Sequence, residues 1–186
     1  MTAKIHVDRA ARIVLAGGVV AYPTEAVFGL GCLPDEPAAV RRVLAIKRRR
    51  VRKGLLVIAA DFAHLEHLVE LPRGPMREEI LATWPGPVTW VLPARRGVPA
   101  WLTGGRATLG VRVTAHPVAR ALCARAGRAL VSTSANVSGR PPCRRLLALR
   151  RTLGSAVDYV LAGEVGPAPR PTTIRDAATG RTLRAG

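Results

Sequence analysis

Several stretches of this chain carry side chains whose types and spacing could do chemistry. The densest is Arg41 to Lys53, with eight basic residues (Arg41, Arg42, Lys47, Arg48, Arg49, Arg50, Arg52 and Lys53) and no acid. Basic side chains favour a helix C-terminus, so one reading is a solvated helix end. So many like charges repel and need compensation. The other reading is therefore an anion site, with Lys47 and Arg49 converging on one polyphosphate just past a helix. Ser132-Thr133-Ser134-Ala135-Asn136 follows a short apolar strand. Hydroxyls and an amide at a strand's C-terminal end suit oxygen ligands; the same residues also make an ordinary polar turn. Tyr22-Pro23-Thr24-Glu25 sets polar residues where the chain leaves another strand. Arg112 lies between Val111 and Val113; buried, it needs an anionic partner, and on an edge strand it faces water. Thr172-Thr173-Ile174-Arg175-Asp176 is a further polar turn and strand.

Other chemistries lack their residues. There is no GxxxxGK[ST] and no GxGxxG, so neither a P-loop nor a Rossmann nucleotide site is supported. No GxSxG marks a nucleophile. His64 and His67 are three apart without further ligands, which favours an exposed helix face over a metal site. The seven aromatic residues do not interleave with the basic cluster, so a base-stacking platform for single-stranded RNA is poorly supported.

The elements that must position these residues read as alternating helices and strands. A helix from about Arg9 to Ala16, capped by Asp8, is stopped by Gly17-Gly18. Val19 to Tyr22 is a short strand ended by Pro23. Asp35 opens a helix with Pro37 in its first turn, continuing through Leu44 to Lys47. Leu55 to Ala59 is a buried strand, Asp61 caps a helix from about Phe62 to Val69, and another runs from about Met76 to Thr83. Val88–Leu92 and Thr108–Val113 are strands, Pro117 to about Ala126 a helix, and Leu130-Val131 a short strand. Arg144 to Leu153 is helical; Val157–Leu161 and Leu183 lie in late strands. The interleaving argues for an α/β fold with a mixed sheet. Gly163 to Pro171, rich in Gly and Pro, could cross over an active site.

The 186 residues fit one domain, 1–186. The net charge of +17 predicts a surface that attracts polyanions. Since 26 of the 29 basic residues are Arg, part of that excess can reflect a GC-rich genome. Three scattered cysteines, no signal peptide and no 18-residue apolar run make the cytoplasm the expected compartment, with no membrane anchor.

Taken together the motifs go further. Gly18-Val-Val-Ala-Tyr-Pro-Thr-Glu-Ala-Val-Phe-Gly-Leu-Gly31, Lys47-x-Arg49 with Lys53-Gly54-Leu55, Trp84-Pro-Gly-Pro-Val-Thr89, Leu109-Gly-Val-Arg-Val113, His116-Pro117, Ser132-Thr-Ser-Ala-Asn-Val-Ser-Gly139, Thr173-Ile-Arg-Asp176 and Leu183-Arg184 run in one order along nearly the whole chain. In this the sequence resembles the short bacterial form of the threonylcarbamoyl-AMP synthase family (YrdC/TsaC type). The resemblance implies a single-domain, twisted, open mixed sheet with flanking helices and a concave positive face; the second domain of longer relatives is not expected. It implies that L-threonine, bicarbonate or CO2, and ATP with Mg2+ give threonylcarbamoyl-adenylate and pyrophosphate. A partner transferase complex would then place the threonylcarbamoyl group on tRNA.

The family signature falls on Lys47, Arg49, Ser134 and Asn136 as the catalytic set. The resemblance further implies Thr24, Arg112, Ser132 and Thr172 on the threonine side. On the ATP side it implies Lys47, Arg49, Thr108, Ser134, Pro142 and Arg184, with Lys53 close to the substrates. The family often has Pro after the Lys-x-Arg pair; Arg50 stands there, which removes a rigid turn and adds a charge. A second reading, from the charge alone, is a non-catalytic RNA-binding or ribosome-maturation module using the basic face. A third is a carbamoyl-transfer relative that shares the fold but uses carbamoyl phosphate.

Overall fold

Short apolar runs separated by Gly and Pro become strands buried on both faces. In the computed structural model, which describes residues 2–186, the elements follow in the order α1 Thr2–Leu15, β1 Val20–Pro23, β2 Phe28–Gly31, α2 Pro37–Ile46, β3 Leu56–Ala59, α3 Pro75–Ala82, β4 Val88–Pro93, α4 Ala100–Thr103, β5 Thr108–Val113, α5 Pro117–Ala126, β6 Leu130–Ser134, α6 Leu146–Leu153, β7 Tyr159–Val160, β8 Thr173–Asp176 and β9 Thr182–Arg184. The strands form one mixed, open sheet in the order β7-β1-β2-β6-β3-β5-β4-β8-β9. The β1–β7, β3–β5 and β4–β8 pairs are parallel and the remaining pairs antiparallel.

The two faces bury different layers because side chains alternate along a strand. Val20, Ile58 and Leu130 pack with Ala10 and Val14 of α1 and Ala119 and Leu122 of α5. Val57, Val111 and Val131 pack with Val40 and Val43 of α2, Ile80 of α3 and Leu149 of α6. The α1–α5 pair covers only part of its face and leaves a concave stretch open. Curvature completes the concavity. β1 and β5 are four places apart in the sheet, roughly 19 Å if it were flat. Yet Glu25, in the turn after β1, touches Arg112 on β5 at 3.1 Å.

Where strong local signals act, sequence and structure agree. Pro117 starts α5, His116 caps it by accepting from the Ala119 N–H, and Gly127 ends it in the left-handed region at φ 63°. Tertiary contacts override the weaker signals. Asp8 is not a cap: it lies within α1 and pairs with Arg125 of α5 at 2.6 Å. The helix expected over Phe62–Val69 is one 3-10 turn, Phe62–His64. Beyond it Val69 bridges Ala94, and the Glu70 N–H bonds the Pro93 carbonyl, which draws the segment onto the end of β4. The Leu130-Val131 strand runs on to Ser134, carrying the polar run into the sheet. β2 was not expected, nor was the short α4.

The connection from β7 to β8 passes the β1–β2 turn. The Gly166 N–H bonds the Thr24 carbonyl at 2.9 Å and the Ala168 N–H the Glu25 carbonyl at 3.2 Å. Arg144 holds the Ala168 and Pro169 carbonyls at 3.0 and 3.1 Å. A Cβ at Gly166 would stand 2.5 Å from the Glu25 carbonyl oxygen, so only glycine lets the two backbones approach.

Candidate active site

The open part of the concave face is a cavity of about 400 Å³, within the range of small-molecule sites. Nine of the twelve residues singled out from the sequence line it: Thr24, Arg49, Lys53, Ser132, Ser134, Arg112, Pro142, Thr172 and Arg184. They come from the β1–β2 turn, the segment after α2, β6 and the loop beyond it, β5 and the C-terminal strands. Lys47 and Asn136 stand behind Ser134 rather than in the wall. Thr108 begins β5 opposite Pro93, four residues before Arg112, roughly 13 Å along the strand, and is not in the wall either.

Chain reversal after α2 sets one end of the cavity. Arg48 adopts φ 47°, in the left-handed region. The Arg49 N–H returns to the Leu44 carbonyl and the Arg48 N–H to the Ala45 carbonyl, both at 2.9 Å. This is a Schellman closure with arginine at the position where glycine is usual. It sends Lys47 inward and Arg49 toward the cavity. The Lys47 ammonium meets Asn136 O and Oδ1, both at 3.0 Å, the Ser134 carbonyl, and Ser134 Oγ at 3.4 Å. The Ser134 hydroxyl donates to Asn136 Oδ1 at 2.6 Å. Lys47 is only 2% exposed and no carboxylate neutralises it. Burial, and then the Arg49 charge, lower its pKa to about 8. Arg49 donates through Nε and Nη2 to the Gly54 carbonyl at 3.1 and 3.0 Å. Burial, followed by the Arg106 charge, holds its pKa below the usual arginine value.

Arg50, the departure from the family pattern, has φ −67° and ψ 136°. A proline ring would impose nearly the same φ. The loop therefore keeps a proline-compatible course without the proline.

β5 dominates the other end. Arg112 is buried. Its Nη2 pairs with Glu25 Oε2 at 3.1 Å, and its Nη1 donates to Thr172 Oγ1 at 2.7 Å and Thr89 Oγ1 at 3.3 Å. Thr114 Oγ1 donates to Glu25 Oε1 at 2.6 Å. The Arg112 Nε is buried without a partner, an unspent donor. Arg184 donates to the Thr172 carbonyl at 2.6 Å. Sequence reasoning noted Glu25 as a polar turn residue and did not pair it; Thr89 and Thr114 were not singled out. A signal for Glu25 existed: it is the only charged residue between Val19 and Pro34.

The cavity wall thus offers guanidinium groups, hydroxyls and backbone to a ligand, and no carboxylate. Such a surface receives a ligand with several anionic oxygens. Among the described residues no group of three His, Cys, Asp or Glu side chains could hold a metal ion. No described helix is long and apolar enough to cross a membrane.

Comparison with known proteins adds a family. The model for Sua5/YciO/YrdC proteins, described as telomere recombination, matches residues 12–186. The threonylcarbamoyl-AMP synthase of Nitrosococcus oceani is 54% identical over 179 residues, 96% of this chain and 97% of that protein. Among solved structures, Pyrococcus abyssi Sua5 complexed with L-threonine superposes with a TM-score of 0.85 at 32% identity. That match covers 93% of this chain, which spans about half of the Sua5 chain (51%). Escherichia coli YciO gives 0.85 at 26% identity, over 98% of this chain and 90% of its own.

Proposed function

This chain belongs to the Sua5/YciO/YrdC family, and from that premise we propose that it is a threonylcarbamoyl-AMP synthase. L-Threonine, bicarbonate and ATP become threonylcarbamoyl-adenylate, pyrophosphate and water. One observation carries the reading most directly: a single cavity gathers Arg49, Ser134, Arg112 and Thr172 from separate parts of the chain. Arg112 supplies a buried cation for the threonine carboxylate, with Thr24, Ser132 and Thr172 around it. Arg49, Ser134, Pro142 and Arg184 receive the nucleotide, with Lys53 at the rim. Lys47 and Asn136 hold the Ser134 loop in the shape that meets the phosphates.

The threonine amine, as its free base, adds to the carbon of CO2 or bicarbonate. A carbamate oxygen then attacks the α-phosphorus of ATP, and the bond to the β-phosphate oxygen breaks with loss of pyrophosphate. Negative charge accumulates on carboxylate, carbamate and phosphates together. Fixed guanidinium groups and hydroxyls stabilise it where it develops. No covalent enzyme intermediate is needed. Magnesium would enter with the ATP substrate, since the wall offers it no carboxylate. The product passes to a transferase complex that modifies tRNA in the cytoplasm, and exposed arginines such as Arg41, Arg48 and Arg52 leave room for a tRNA contact.

The test is pyrophosphate release with ATP, threonine and bicarbonate, each omitted in turn. Release is expected only with all three. Arg49→Ala should lower kcat/KM at least 100-fold at an unchanged melting temperature; full turnover by that variant would reject its phosphate role. The RNA-binding module is not favoured, since relatives over nearly the full chain carry the name of the synthase.

A further inference from the structure

We propose that Gly29 on β2 is a specificity-determining residue that sets the size of the amino-acid subsite; the inference rests on the synthase reading above. Gly29 lines the cavity, and its backbone is not in the left-handed region that would demand glycine. Packing does not strictly forbid a side chain either. A methyl at Gly29 would stand 3.2 Å from Thr24 Cγ2, 3.6 Å from Ser132 Oγ and 3.6 Å from the Tyr22 ring. It is tight against one methyl group and free of backbone clash. What that methyl would take up is space in the cavity.

The neighbours give the space a character. The Thr24 hydroxyl is committed to the Val27 carbonyl at 2.7 Å, so its methyl is the group turned to Gly29. Ala26 and Val27 also line the cavity, and the Ser132 hydroxyl lies 3.6 Å from the same Cβ position. The hollow is therefore apolar along Thr24 and polar along Ser132. A β-branched hydroxy amino acid has the same two-sided side chain. With the carboxylate at Arg112, its methyl rests against Thr24 Cγ2 and the bare Cα of Gly29, and its hydroxyl turns to Ser132. Serine leaves that hollow empty. One methyl group in an apolar pocket is worth about 10–200-fold in discrimination.

The experiment compares kcat/KM for threonine and serine by pyrophosphate release, with melting temperature and the ATP KM as controls. Wild type should prefer threonine by at least 10-fold. Gly29→Ala should lower the threonine-to-serine ratio at least 10-fold, by losing threonine activity while keeping that with serine and the ATP KM. An unchanged ratio, or an equal loss with both amino acids at an unchanged melting temperature, overturns the proposal. Thr24→Ser removes the methyl wall from the opposite side and keeps the bond to Val27. It should lower the threonine-to-serine ratio of kcat/KM several-fold, and it decides the matter if Gly29→Ala does not fold; an unchanged ratio there overturns the proposal too. Wild type without amino-acid-dependent pyrophosphate release defeats the reaction itself. A selective wild type with an indifferent Gly29→Ala defeats only the role of Gly29.

Discussion

Lys47 and Arg112 are both buried cations beside one cavity, and they are held in opposite ways. Arg112 has a counter-charge: Glu25 at 3.1 Å, itself fixed by Thr114. Lys47 has only neutral acceptors, the carbonyl, hydroxyl and amide oxygens of Ser134 and Asn136. A guanidinium keeps its charge at every accessible pH, so burying it calls for a counter-ion. An ammonium can shed its proton, and burial, then the Arg49 charge, lowers the Lys47 pKa to about 8. One end of the cavity is built on a permanent charge, and the other on a charge that solvent conditions can remove.

Breaking the pair at the Arg112 end should give the largest effect. Glu25→Ala leaves a buried guanidinium uncompensated and should cost about 3–5 kcal/mol in chemical denaturation. A cost below 1 kcal/mol would mean that water or a rearranged Arg112 replaces the carboxylate, and the contrast with Lys47 would fail. At the other end, Lys47→Met strands several oxygens and should cost about 1–3 kcal/mol. The pH dependence sharpens the comparison. Folded Lys47 titrates near 8 and unfolded Lys47 near 10.5. Between those values the folded state binds fewer protons, so stability rises as pH climbs through the window. Below pH 8 both states are protonated and the contribution is flat and at its lowest. Wild type should therefore gain on Lys47→Met between pH 8 and 10.5. If instead the gap narrowed, the oxygens would be holding the proton on. The smallest effect concerns the loop that follows Lys47. Arg50→Pro suits the existing φ of −67° and should stabilise by about 0.4–1 kcal/mol, read as a rise in melting temperature.

Legibility in the sequence divided along similar lines. Thr108–Val113 and Pro117–Ala126 were readable residue by residue, because an apolar run, Pro at the first helical position and Gly127 at the end all agree. β2 was not, since Phe28-Gly29-Leu30-Gly31 has low intrinsic strand preference and is a strand through its pairing with β1 and β6. The cations of the site were legible, because arginine in an apolar strand is conspicuous. Their partners were not. Glu25 lies 87 residues from Arg112 in the chain, and no local pattern announces a contact made by curvature. Lys47 stood out by its spacing, but its burial behind Ser134 depends on the left-handed turn at Arg48, which no residue type there signals.

The Glu25 clasp also sets an order of events in synthesis. Glu25 emerges from the ribosome 87 residues before Arg112. Thr172, the other side chain bound closely by that guanidinium, follows Glu25 by 172 − 25 = 147 residues. At about 5–20 residues per second that interval is roughly 7–30 s. Over the first 87 residues of it the first hairpin carries an acid whose counter-charge is still to be made, and to its end the cavity wall lacks Thr172. A nascent chain thus cannot present the assembled cavity until the segment leading into β8 has been made.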